Sequence, residues 1–293
     1  MRSNLISSLV LSTFAVSVLF LQCCKEVGPE IDFKPKFEGD TTYVTSSVPN
    51  ADEKVAYLEE FTGVQCVNCS QGHQVVSDLL TQHGERLAAV GVHAGPFSAP
   101  YTGTHTSLYD FQTVEGNTIN NTFYGGVPGQ PMAGIDRRLF RNQGNRATLR
   151  SNWSKFVTYQ LKETNPCNLK LTSIFDAVAN KLKVKATVTY TADVVGDTKL
   201  TLLLSESGIK DAQLLPDGTV DENYIHRHVF RTTLTPPTGA LLQGAATRGR
   251  VFVRNFEFTP NITWKIDSCE LVGFVHEASD SVRVLQATKI KAK

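Results

Sequence analysis

Neither sign of charge prevails in this 293-residue chain, where 29 basic residues meet 28 acidic ones. That balance excludes the footprint of a nucleic-acid groove or a polybasic membrane patch. Apolar runs are scarce too. Beyond residues 5–21, none is long enough to span a bilayer. There is no internal repeat, phosphate loop, serine-nucleophile elbow or paired-carboxylate glycosidase signature. There is also no second CxxC, so zinc at Cys66 and Cys69 would want two further ligands. No metal or other cofactor is expected.

What is there begins at the amino terminus. Arg2 supplies a positive charge, residues 5–21 are largely apolar, and Cys23-Cys24 follow at once. A short transmembrane helix fits this pattern less well than a bacterial lipoprotein signal over residues 1–24, because a polar, proline-containing stretch comes next. Cys24 is the favoured acylation site: Leu21 lies three residues before it and the small Cys23 just before it. Cys23 is the alternative, with the bulky Gln22 in front of it. Residues 25–52 carry Pro29, Pro35 and Pro49 without periodicity and read as a flexible tether. Cys66, Cys69, Cys167 and Cys269 remain, an even number that an exported chain can hold oxidised.

The rest divides by period. Residues 53–166 alternate strand and helix signals: a strand over 54–61, helical spacing at Val75, Val76, Leu79 and Leu80, a strand over 87–92 and a helix near 146–163. That order implies parallel pairing through a right-handed crossover. After Pro166 the period becomes two. Leu182, Val184, Ala186, Val188 and Tyr190 face one way, and lysines and threonines face the other. Similar runs near 168–176, 198–205, 228–235, 249–258, 270–277 and 282–291 predict a seven-stranded, immunoglobulin-like β-sandwich over residues 167–293.

Cys66-Val67-Asn68-Cys69 follows the first strand and opens a helix. A thiol there feels unpaired backbone N–H groups and the positive end of the helix dipole, which favour thiolate. Strand, CxxC and helix in this order build a thioredoxin-like redox site in an α/β domain over 53–166. Gly125 to Met132 leads into a short strand, 133–135. Thioredoxin-like proteins place a cis-proline at the start of such a strand, facing the CxxC, to hold a partner's backbone. Pro131, with Gln130 before it, occupies the matching place, an ordinary trans turn being the alternative. Pro128 is the competitor, further from the strand. Glu60, six residues before Cys66, is a buried proton carrier or a solvated strand-end carboxylate. Alternation turns Glu59 to the opposite face. An insertion at about 94–124 adds the aromatics Phe97, Tyr101 and Tyr109, read mainly as packing. His73 and His93 read as structural, and His226 and His228 as sharing one strand face.

Cys167 precedes the first sandwich strand and Cys269 starts a late one, which makes a structural disulfide plausible beside the alternative of two buried thiols. Its long loop would contribute on the order of 4–5 kcal/mol in the chain-entropy model.

Leu58-Glu59-Glu60-Phe61-Thr62-Gly63 with the CxxC and Gly72-His73, and later Tyr224 to Arg231, resemble segments of the lipoproteins related to the twenty-eight-kilodalton outer membrane protein. The resemblance implies a thioredoxin-like domain, a following β-sandwich and an outer-membrane address, on the periplasmic or the cell-surface face. Gln65 stands where thioredoxins usually carry tryptophan, and no proline separates the cysteines. Two functions stay open: thiol–disulfide exchange on envelope proteins by Cys66, Cys69 and Glu60, or non-catalytic surface binding with a permanent disulfide. Envelope or surface proteins are the expected partners, with the membrane reached through the lipid anchor.

Overall fold

The structure, a computed structural model, describes residue 37 and residues 39–293 except 104. The expected signal peptide, the acylated Cys24 or Cys23 and the first part of the tether lie outside the described residues. In chain order the elements are β1 (Thr41–Val44), β2 (Ala56–Thr62), α1 (Cys69–His83), β3 (Leu87–His93), α2 (Val114–Tyr124), β4 (Met132–Ile135), β5 (Ala147–Leu149) and α3 (Trp153–Gln160). Then follow β6 (Cys167–Asp176), β7 (Lys181–Tyr190), β8 (Thr198–Glu206), β9 (Ile209–Leu214), β10 (Val220–His226) and β11 (Val229–Thr233). The last are β12 (Ala240–Leu241), β13 (Arg250–Phe258), β14 (Cys269–Glu277) and β15 (Val284–Lys291). The described chain is mostly β, with few helices.

Period two works as predicted in β7: Leu182, Val184, Ala186, Val188 and Tyr190 are all fully buried. Strands β2 and β3 are buried at every position and pair in parallel, Ala56 opposite Leu87 and Thr62 opposite His93. Burial at every position is what a central parallel pair covered on both faces brings.

Two sheets pack face to face. One has the order β1-β13-β7-β6. The other runs β15-β14-β8-β11-β3-β2-β4-β5, with β12 beside β8. Leu169, Val184 and Phe252 of the first share a core with Leu202, Leu271 and Val275 of the second, which makes a β-sandwich. The larger sheet crosses the expected boundary at Pro166. Strand β11 pairs antiparallel with β8 and in parallel with β3, with Val229 opposite Gly91. Residues on both sides of Pro166 therefore share one sheet.

Other differences are local. Residues 41–44, expected within the tether, form β1 on the edge strand β13. Asn168 then holds residues 50–52: Asp52 N–H donates to its Oδ1, and its Nδ2 donates to Asn50 O. The helix expected near 146–163 is confined to 153–160, because Ala147–Leu149 pairs with β4 instead and leaves Leu149 exposed. The insertion contains α2, capped by Thr113, whose side chain accepts from Gly116 N–H.

The predicted bridge between Cys167 and Cys269 does not form, and both are free buried thiols. Their strands run in opposite directions across the sandwich. Ser173 Oγ donates to Lys291 O, and Lys291 pairs with Glu270. Pro166, at the other end of β6, shares a cleft with Glu277. Cys167 thus lies near the end of β14 and Cys269 at its start, a strand length of about 26 Å away. A disulfide needs Cα atoms within about 7 Å. Burial pushes both thiols up to about 12.

Candidate functional site

Strand β2 delivers the CxxC at its C-terminal end. Cys66 N–H donates to Gly63 O at 3.1 Å and Cys69 N–H to Cys66 O at 3.1 Å, so α1 winds directly out of the motif. The cysteines are joined as a disulfide with Cα atoms 5.3 Å apart. Cys66 is only 3% exposed and Cys69 fully buried. Gly63 has no room for a side chain, since a Cβ there would lie 2.1 Å from Phe97 O.

Two glutamines brace this loop. Gln65 Nε2 donates to Ala99 O at 3.1 Å and Pro100 O at 2.9 Å, tying the motif to the insertion. Gln213 of β9 is fully buried, its Nε2 between 3.0 and 3.3 Å from the carbonyls of Gly63, Val64, Cys66 and Leu214. Leu214 N–H donates to Val64 O at 2.9 Å. Nothing in the sequence marks Gln213, since its role exists only once β9 reaches the CxxC.

Glu59 and Glu60 point to opposite faces of β2, and both are buried. Glu59 is held by Arg137, Tyr57 and Tyr124. Glu60 is different: its Oε1 is buried without a hydrogen-bond partner. Burial raises its pKa to about 8. It borders a cleft of ≈ 450 Å³ shared with His73, Arg227, His228 and Tyr224.

Gly72 locks α1 against this carboxyl. A Cβ on Gly72 would lie 2.6 Å from Glu60 Oε1 and 2.9 Å from Pro131 Cβ. Glu60, the helix that begins at Cys69, and Pro131 are therefore in mutual contact through a glycine. Gly72→Ala should destabilise the chain by about 1–3 kcal/mol, the usual cost of overpacking. Urea unfolding checks this, and an unchanged midpoint would mean that the helix has slack.

The Gln130–Pro131 peptide is cis, at the start of β4 beside β2. The Gln130 side chain is committed within the protein: Nε2 donates to Thr62 O and Ala94 O, and Oε1 accepts from Phe97 N–H. Only its backbone remains to meet another chain. In the insertion, Tyr101 packs beside Val64 and Phe111, whereas Phe97 and Tyr109 are 44% and 45% exposed.

Histidines gather behind the motif. The His73 ring lies 2.7 Å from Thr62 Oγ1 through Nε2 and 2.7 Å from Tyr224 Oη through Nδ1. His226 stacks edge-on against His73 and His93, with ring centres 6.3 and 5.9 Å away. Burial drives His73 down to about 3 and His226 to about 4, and holds His93 well below the usual range. His226 and His228 do not share a strand face. His226 closes β10, and His228 takes a positive φ of 52°, which breaks the alternation. Among the described residues no group of three or more His, Cys, Asp or Glu side chains is arranged to hold a metal ion.

The family model for outer membrane protein Omp28 matches residues 118–293. No curated protein matches the chain. Among solved structures, HBP35 of Porphyromonas gingivalis is similar at 18% identity, with a TM-score of 0.64 over 83% of this chain and 76% of that one. A protein from Agrobacterium tumefaciens aligns at 11% identity and a TM-score of 0.48, over 83% of this chain and 97% of that one. A domain of the outer membrane lipoprotein Omp28 from Porphyromonas gingivalis aligns at 12% identity and a TM-score of 0.28, over 43% of this chain and 88% of that one. The first of these shares the fold.

Proposed function

The chain belongs to the outer membrane protein Omp28 family, and from that premise we propose that it is a lipoprotein, anchored through Cys24 or Cys23, that exchanges disulfides with proteins of the cell envelope. In this reading β2, β3, β4 and α1 form a thioredoxin-like unit, and the strands after Pro166 form an immunoglobulin-like sandwich joined to it. The observation that carries the reading is Glu60: a buried, unpartnered carboxyl with a pKa near 8, packed on the helix that Cys69 opens. A purely structural carboxylate at such a place would be paired, because burial without a partner is costly.

The chemistry then runs in two displacements. The Cys66 thiolate attacks one sulfur of a partner disulfide, forms a mixed disulfide and expels a partner thiolate. Cys69 gives its proton to Glu60 in the ionised form, which a pKa near 8 leaves available as a minor fraction around neutral pH. It then attacks Cys66 Sγ, which expels the second partner thiolate. Two electrons pass to the partner, and the Cys66–Cys69 disulfide is left behind. An external dithiol resets the pair; with a dithiol partner the same steps run in reverse. Pro131 and the Gln130 backbone would hold the partner chain.

The low exposure of Cys66, together with the clamps from Gln65 and Gln213, favours one competing reading, a permanent staple in a surface-binding lipoprotein. Trapping separates the two. In the full chain Cys69→Ser should accumulate mixed disulfides through Cys66, visible on non-reducing gels and absent in Cys66→Ser. A Cys66 that reacts no faster than free cysteine and traps nothing establishes the staple.

A further inference from the structure

Two clefts meet at Ser151. The nearer one is bounded by Asn68, between the two cysteines, and by Pro131, Leu149 and Arg150. The larger one, ≈ 1200 Å³, lies between α3 and residues 138–142. Ser151 is on the wall of both. Stacked rings line the larger cleft, Phe140 on Phe156 at 3.8 Å and 3°, beside Tyr159 at 48% exposure and Leu139 at 55%.

Its charge is of one sign. Arg138, Arg141, Lys155 and Lys162 line it, and no carboxylate does. Arg138 is met by Glu163 at 3.0 Å, but Arg141, Lys155 and Lys162 are exposed and make no ion pair among the described residues. In a chain of net charge +1, such a local excess beside the exposed Leu139 and Tyr159 is a specific feature. From Ser151 to Lys162 the trough runs about 16 Å, room for about five extended residues.

We propose that this trough receives an acidic, aromatic- or apolar-containing segment of the partner polypeptide while the partner's cysteine engages the CxxC. The inference rests on the exchange reading above. In that reading the disulfide beside Asn68 exchanges with another chain, so the occupant of the two adjoining clefts is that chain. Its charge must complement Arg141, Lys155 and Lys162, and its apolar side chains the exposed Leu139 and Tyr159, which the buried Phe140–Phe156 stack supports. Complementary charge of this kind raises encounter rates more than it tightens binding.

The test uses the reduced full chain and two peptides carrying the same disulfide, one flanked by Asp and Phe, the other by Lys and Phe, with a small uncharged disulfide as reference. At about 0.05 M salt the acidic peptide should react with about tenfold higher kcat/KM, narrowing to within about twofold at about 0.5 M. Arg141→Glu with Lys155→Glu and Lys162→Glu should reverse the preference and leave the small disulfide unaffected. If that triple variant melts early, Lys162→Glu alone should lower the preference about two- to threefold. Equal rates for both peptides, with the small disulfide turned over, overturn the trough and leave the exchange reading standing. If no disulfide is turned over but the acidic peptide binds more tightly by fluorescence anisotropy, the trough stands as a binding surface and the exchange reading falls.

Discussion

Arg137→Ala should cost about 3–5 kcal/mol of folding stability, because it strands a buried carboxylate. Arg137 and Glu59 are both fully buried and bonded twice, Nε to Oε2 at 3.1 Å and Nη2 to Oε1 at 3.0 Å. The Tyr57 and Tyr124 hydroxyls donate to the same carboxylate at 2.8 and 2.7 Å. Burial first, then the charge of Glu59, holds both hydroxyls well above the usual tyrosine range, so they stay protonated donors. The guanidinium also lies between the Phe123 and Phe274 rings, 3.8 and 4.9 Å from their centres. It therefore joins α2 of the insertion, β2 before the CxxC and β14 of the sandwich.

Truncation removes the charge partner and the packing together. Arg137→Met with Glu59→Gln should recover most of the loss, since a replaced buried pair is often nearly neutral while a broken one is not. Urea unfolding of the two single variants and the double variant gives the coupling. A loss below about 1 kcal/mol in Arg137→Ala would mean that the two tyrosines suffice to hold the carboxylate.

The sequence exposes the part of this site that is local. Glu60 lies six positions before Cys66, and strand alternation alone sends Glu59 the other way. Pro131 is legible from its place before a four-residue strand, and the sandwich strands from a period of two. What stays hidden depends on contacts between distant segments. The parallel seam of β11 on β3 is one residue pair, Val229 with Gly91, and no pattern in either strand announces it. Gln213 reaching Cys66 O, and Tyr224 meeting His73, follow from that seam. The bridge between Cys167 and Cys269 fails for the same kind of reason, because spacing along a chain carries no strand direction. Strand β1 is exposed at all four positions, so it lacks the apolar face that would reveal it.

Stability should peak near pH 7, and the alkaline side of the peak should belong to Glu60. The histidines set the acid side. His73 and His276 are held down to about 3, and His226 and His228 to about 4, in each case chiefly by burial. Below about 6.5 the unfolded chain takes up protons that these folded rings refuse, so their contribution is complete above 6.5 and is lost as pH falls towards 4. Glu60 acts in the opposite sense. Its carboxyl ionises at about 4.5 when unfolded and about 8 when folded, so the folded chain keeps a proton that the unfolded one releases. The Glu60 contribution therefore falls across that window as pH rises.

Between 4.5 and 6.5 several histidines outweigh one glutamate, and stability climbs. From about 7 to 8 the histidines have little more to give, and Glu60 lowers stability by up to about 1.4 kcal/mol per pH unit. Arg227, His228, His73 and Tyr224 border its cleft, and no hydrogen bond from any of them reaches Oε1. Glu60→Gln, with the disulfide kept oxidised, should flatten the fall between about pH 7 and 8 and leave the acid limb in place. Urea midpoints of both proteins across pH 4.5–9 decide the matter. An alkaline fall of the same size in Glu60→Gln would assign it to another group, and the absence of any fall in the parent chain would mean that Glu60 is ionised and paired. In that case its pKa would lie far below that of the Cys69 thiol, and the two-displacement route would lose its proton acceptor.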